Sequence, residues 1–296
     1  MSAATLVLMF LANLAWALNT IVSKVAVAQL HCPPLFYAAI RGVIVAIVLA
    51  PLLRPLPEKL WLVLVTGLAI SGGSFALLYM GLITATPSSV GIVTLAGVPL
   101  TVLFAVMFLG ERVHWRRTVG MGLSFAGVLL AMGGGDGGFT LTGGIALVFA
   151  SAVVGALGSV FVKRIELDSF RLQAWASIAS VAFLTPLSLA LEPSALPAFA
   201  AAPWALTGCV LFAAIVVSIG AHGIYFRILQ QHDANVVVPL TLLNPLMTVG
   251  LGAWLTNDPV GPRLIIGGVL ALVGVAIILR RPSATVPKGN LSEPKV

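Results

Sequence analysis

Ten runs of about twenty mostly apolar residues follow one another along this chain, divided by short breaks rich in proline, glycine and serine. An α-helix rises 1.5 Å per residue, so about 20 residues cross the ~30 Å hydrocarbon core of a bilayer. The runs lie at 4–27, 33–53, 60–82, 87–109, 115–133, 143–163, 170–190, 204–228, 234–256 and 262–280. Composition agrees: 59% of the 296 residues are hydrophobic and 8% are charged. A soluble domain carries about 25% charged residues to solvate its surface. The expected fold class is therefore an all-α membrane protein, ten transmembrane helices in one bundle with the lipid bilayer as its solvent. The first run has no basic region ahead of it and is too long for a signal peptide, so it counts as a span.

The +7 net charge raises nucleic acid as a partner, but the basic residues sit in short breaks and form no groove or basic helix face. With ten spans, 13 of the 16 Lys and Arg residues fall on one side and only Arg263 on the other, while Lys24 and Arg41 lie inside spans. By the positive-inside rule both termini are cytoplasmic. Two cysteines, Cys32 and Cys209, make neither a disulfide framework nor a metal spacing, so no metal and no cofactor are expected.

The chain also repeats itself. Lys24 matches Lys163 at an offset of 139, Tyr79 matches Tyr225 and Pro99 matches Pro245 at 146, and Gly120 and Gly127 match Gly267 and Gly274 at 147. Five spans per half is an odd number, so the second half enters the membrane inverted, an arrangement common among secondary transporters. The expected organisation is a first repeat over 1–134, a linker at 135–142, a second repeat over 143–281 and a polar cytoplasmic tail at 282–296.

The stretch "ATPSSVGIVTLAGVPLTVLFAVMFLGERVHWRRTVGMGLSFAGVLLAM" (85–132) resembles the end of an EamA-type repeat of the drug/metabolite transporter superfamily. It has a small or polar start, a mid-helix proline, Gly-Glu-Arg and a glycine-marked last helix. "WALNTIVSK" (16–24) is similar to that family's first-helix Trp/Asn/Lys signature, with Ala17 where glycine is common. The resemblance covers residues 4–280 and implies two inverted five-helix halves that carry a small metabolite across a bacterial inner membrane. Overall the chain looks most like the bacterial amino-acid exporters, the aromatic branch in particular. In the second half Thr256-Asn257-Asp258 stands in place of Gly-Glu-Arg and Gly155 in place of the tryptophan, so neither role is expected twice.

All nine acids lie in breaks or the tail, so no span offers a carboxylate for proton coupling. There is also no phosphate loop, which argues against ATP-driven transport by this chain alone. Alternating access down a gradient, or exchange, is the plainest mechanism. Arg41 is eight residues past Pro33, roughly 12 Å deep, and its partner is a carbonyl, a water or a substrate carboxylate, unless it braces two helices. Trp16 falls near the midplane with Asn19 one turn on; it lines a cavity or packs on a neighbour. Tyr79, His222 and Asn244 complete the expected cavity set, with His222 either a titrating group or a structural one.

Lys24, Lys163 and Tyr225 are read as gate residues or as interface anchors, and Pro99 and Pro245 as paired hinges. The glycine stripes are read as packing surfaces, within a half or between two copies in a homodimer. The substrate expected is an amino acid or similar metabolite; a drug, nucleoside or other amphiphile fits the same residues. An enzyme is not expected, because the spans hold no HExxH, acid pair or Ser/His/Asp set. A channel is the other class left open.

Overall fold

Ser2, Thr86 and Asp168 each stand one residue ahead of a helix and cap it. Their side-chain oxygens accept from the backbone N–H of Thr5, Ser89 and Phe170, satisfying donors that a helix start leaves unpaired. The computed structural model describes residues 2–111, 113–133, 143–232, 237 and 239–279. The expected linker at 135–142, the tail at 282–296, Arg112 and part of the run at 234–256 lie outside the described residues.

Every regular element among the described residues is helical. In order they are α1 (Ala3–Lys24, continuing as a π-helix over Val25–Gln29), α2 (Pro34–Val48), and α3 and α4 (Leu60–Gly67 and Ser74–Leu82, joined by a π-helix over Leu68–Gly73). Then come α5 and α6 (Pro87–Val93 and Gly97–Leu109, joined by a 3₁₀ turn), α7 (Trp115–Met132), α8 (Gly143–Val162), α9 (Ser169–Leu191) and the short α10 (Leu196–Ala201). The chain closes with α11 and α12 (Pro203–Leu211 and His222–Gln231, joined by a π-helix over Phe212–Ala221), α13 (Leu243–Leu255) and α14 (Pro262–Leu279).

Seven of these segments are long and apolar enough to cross a membrane: Ala3–Gln29, Leu60–Leu82, Pro87–Leu109, Gly143–Val162, Ser169–Leu191, Pro203–Leu229 and Pro262–Leu279. The other three expected spans differ in length or polarity. The run at 33–53 is α-helical only over Pro34–Val48, because Pro51 brings no N–H and Ala50–Leu53 tightens into a 3₁₀ turn. The described helix within 234–256 is Leu243–Leu255, and α7 opens with Arg116 and Arg117 in its first turn. Four tryptophans are largely exposed, and all stand at helix ends: Trp61, Trp115, Trp204 and Trp254. Exposed indole rings at helix ends are the placement favoured at the two faces of a bilayer.

The most extensive helix pair is α7 against α14. A Cβ added to Gly127 would collide with the backbone of Ala271, and one added to Gly120 would lie 2.8 Å from the carbonyl oxygen of Gly274. The glycine stripes thus close on each other inside one chain, joining the last helices of the two expected repeats. The sequence-based choice between packing within a half and packing between copies is corrected on this point. Close backbone approach of this kind is what holds helices together where apolar burial alone gives no preference over lipid.

Both prolines singled out in the sequence stand third in a restarted helix. Thr94–Ala96 is a 3₁₀ turn directly before Gly97, and Leu242 and Asn244 donate backbone hydrogen bonds to Pro239 and Thr241 directly before and into α13. Pro99 and Pro245 bring no N–H to bond the carbonyl four residues back, which is why the helix breaks there.

Candidate functional site

Two π-helical turns border a cavity within the bundle. One covers Leu68–Gly73, the other Phe212–Ala221. Gly72 and Ser218 are 146 residues apart, the offset that also relates Tyr79 to Tyr225, and both line the cavity. A π-turn widens the helix and disturbs its hydrogen-bond ladder, and such turns recur at functional sites. Here hydroxyls take up the altered acceptors: Ser74 donates to Ile70 O at 3.0 Å and Ser218 to Ala213 O at 2.7 Å.

The cavity has a volume of about 380 Å³, within the range of small-molecule sites. It is lined by α2, both π-turns, the end of α8 and the start of α9, so it runs from mid-bundle toward the 163–168 connection. Among the described residues Arg41 on α2 is its one Lys or Arg, and no Asp or Glu lines it. The arginine is 94% buried. Its Nε donates to Ser218 Oγ at 2.9 Å and one terminal nitrogen to Tyr79 Oη at 2.7 Å. Its guanidinium carbon lies 3.8 Å from the centroid of the Phe75 ring. Tyr79 is in turn wedged between Phe75 and Tyr37, with ring centroids 5.8 and 4.9 Å away. The guanidinium is therefore held by two hydroxyls and a π-face, with no carboxylate among the described residues to neutralise it.

The expected site residues divide into three groups. Arg41 and His222 line the cavity, and Tyr79, fully buried, stands behind Arg41 as its support. Trp16 and Tyr225 join His222 in a ring cluster, with centroids of Trp16 at 5.3 Å from His222 and 5.6 Å from Tyr225. His222 Nδ1 lies 2.9 Å from Val217 O, in the same π-turn. Asn19 and Asn244 are not on the cavity wall; Asn19 is buried in α1, and Asn244 accepts from Thr248 Oγ1 within α13. Ser218, Phe75 and Gln173 were not singled out in the sequence. The α9 stripe of Gln173, Ser177 and Ser180 was readable there, because spacings of four and three place these polar groups on one helix face.

At the other end of the bundle, charges cap helix ends. Lys24 Nζ donates to the carbonyls of Leu82, Ile83 and Ala85 at 2.8, 3.2 and 3.0 Å, closing the end of α4. Glu192 accepts from the backbone N–H of Leu35 and Phe36 at the start of α2, and Asp258 from that of Ser88 at the start of α5. Each is the charge that its helix end favours. Near the cavity mouth, Lys163 instead forms an ion pair with Glu111 at 2.6 Å.

Residues 147 apart also correspond here. Gly110 and Asn257 both adopt left-handed backbone, with φ of 66° and 51°, and end α6 and α13. An acid follows each: Glu111 and Asp258. The sequence reading set Thr256 against Gly110 and expected no second copy of the motif's role; the register is one residue later, and the cap and acid are both present. Asparagine serves because, after glycine, it tolerates that conformation best.

Seven segments long and apolar enough to cross a membrane, packed with a cavity that bears Arg41, are those of a multi-pass membrane protein. The chain belongs to the EamA-like transporter family, whose model matches residues 3–133 and again 142–280. It is 28% identical over 280 residues to a "Probable amino-acid metabolite efflux pump" of Escherichia coli (strain K12), covering 92% of this chain and 93% of that protein. It is 29% identical over 185 residues to a "Probable terminal-alkyne amino-acid exporter" of Streptantibioticus cattleyicolor, covering 61% of this chain and 60% of that one. A solved crystal structure superposes with a TM-score of 0.61 at 21% identity, over 94% of this chain and 96% of that one, a likeness of fold.

Proposed function

We propose that this chain exports or exchanges small carboxylate-bearing metabolites, aromatic amino acids and their derivatives foremost, by alternating access across a bacterial inner membrane. The observation that carries the reading is Arg41: a buried guanidinium, fixed by Ser218, Tyr79 and Phe75, in a cavity that no acid lines among the described residues. A planar guanidinium matches a carboxylate in a two-point hydrogen bond. The relatives named for amino-acid efflux and export support the same substrate type.

In this proposal ten helices span the membrane as two inverted repeats, 1–134 and 143–281, with both termini cytoplasmic. The cavity mouth by the 163–168 connection then faces the cytoplasm, and the state is inward-open. Lys24, with Glu192 and Asp258, seals the outer end. Lys163 holds α8 to the end of α6 at the mouth, and the breaks before Pro99 and Pro245 serve as hinges. Trp16, His222 and Tyr225 form an aromatic wall near the path.

Counterflow in proteoliposomes tests the reading. Vesicles preloaded with unlabelled phenylalanine or tryptophan are expected to accumulate the labelled compound transiently. A panel in which nucleosides or drugs move and no amino acid or related carboxylate does would overturn the assignment, and flux without counterflow would indicate a channel.

A further inference from the structure

Among the described residues the cavity carries one fixed positive charge and no negative one. An α-amino acid at neutral pH is a zwitterion: its carboxylate suits Arg41, but its ammonium needs an anion or water once buried. As acceptors the described wall offers neutral groups only. Gln173 Nε2 donates to Ser218 O, while Ser177 and Ser180 donate to the carbonyls of Gln173 and Ala176, so the acceptors that remain, the Gln173 amide oxygen and the hydroxyl lone pairs, are all neutral. Arg41 itself lies in the same wall and repels a second cation. Its partners, Ser218, Tyr79 and Phe75, are all uncharged.

We infer that the site is built for a net monoanion: an aromatic or aliphatic carboxylic acid whose α-nitrogen is acylated, or replaced by a keto or hydroxyl group. The inference rests on the proposed role of the Arg41 cavity as the substrate site. Its second half concerns energy. A neutral zwitterion crosses a membrane without moving charge, and its uphill export needs a coupling ion. A monoanion expelled from a cell is driven outward by the inside-negative potential itself. The described acids Glu58, Glu111, Glu166, Asp168, Glu192 and Asp258 all stand at helix ends or in connections, so none is a proton carrier within a span. Electrogenic export of an anion requires none.

The test uses the full chain in proteoliposomes with three labelled probes that share one ring: N-acetyl-L-phenylalanine, L-phenylalanine and 2-phenylethylamine. Uptake is followed with and without an inside-positive potassium potential imposed with valinomycin. The expected result is uptake of N-acetyl-L-phenylalanine at least fivefold faster than L-phenylalanine, accelerated at least threefold by the potential, with no protein-dependent uptake of the amine. L-phenylalanine moving as fast as or faster than its acetylated form, or an acetylated flux indifferent to potential, would overturn the inference and leave the proposed function standing. Uptake of the amine alone, or of none of the three, would sink both. All arms use the unsubstituted protein, so no outcome turns on whether a variant folds.

Discussion

Arg41 is the residue on which the chemistry turns, and what surrounds it decides how it can be replaced. A lysine there keeps the charge but cannot reach Ser218 and Tyr79 together, nor lie flat on the Phe75 ring. Arg41→Lys is therefore expected to raise the KM for carboxylate substrates by ten- to a hundredfold, the loss of about 1.5–3 kcal/mol for a charged hydrogen bond. Tyr79→Phe removes one acceptor from a guanidinium that remains bound to Ser218, and about 1 kcal/mol, roughly fivefold in KM, is the expected cost. Concentration-dependent flux measures both. An unchanged KM in Arg41→Lys would remove the guanidinium from recognition. That Arg41 matters was legible in the sequence, since it is an arginine inside an apolar run without an acid to pair with. Its partners were not: Ser218 is 177 positions away, and only the folded bundle brings it within 2.9 Å.

Among the elements, the prolines and the lysines separate what a pattern reveals from what it hides. Proline chemistry is local, so the breaks before Gly97 and Leu243 were readable from Pro99 and Pro245. The π-turns were not, because their extra residue per turn comes from tertiary packing, and Leu68–Gly73 reads as an ordinary apolar helix with two glycines. Lys24 and Lys163, twins in sequence, do different work. Lys24 is half-buried on three carbonyls at a helix C-terminus, whereas Lys163 makes an exposed ion pair. Helix-end cations contribute up to about 2 kcal/mol when partly buried, and exposed pairs about 0–1 kcal/mol. Lys24→Met is thus expected to lower the Tm in detergent by roughly 2–6 °C and Lys163→Met by less than about 2 °C. Equal losses, read by thermal unfolding, would mean that the caps on Leu82, Ile83 and Ala85 do not hold the bundle end. Gly127→Leu, placed against the Ala271 backbone, is expected to prevent α7 and α14 from closing and to abolish recovery of monodisperse protein.

For the whole molecule, the proposed sidedness rests on charges in the sequence and the proposed open end on the cavity in the structure. With ten spans the basic breaks are expected on one face, and the cavity runs toward one of them, the 163–168 connection. No periodicity could show which end is open, since that depends on how α2, α8 and α9 pack against the π-turns. Both meet in one experiment. Ser159 lies on the cavity wall near the mouth and makes its own hydrogen bond back to Gly155 O, so a cysteine there disturbs little. Cys32, in the connection before α2, is fully buried, and burial, followed by the nearby Glu192 carboxylate, pushes its thiol up to about 12. The reactive species is the thiolate, so Cys32 stays silent to maleimides at neutral pH. In a Cys209→Ala background, Ser159→Cys is expected to react with a membrane-impermeant maleimide in inside-out vesicles and at least tenfold more slowly in intact spheroplasts. Saturating carboxylate substrate is expected to slow that reaction by filling the cavity around Arg41. Labelling from the outer face alone would reverse the topology, and labelling from the inner face that substrate leaves unchanged would detach the Arg41 cavity from the transport path.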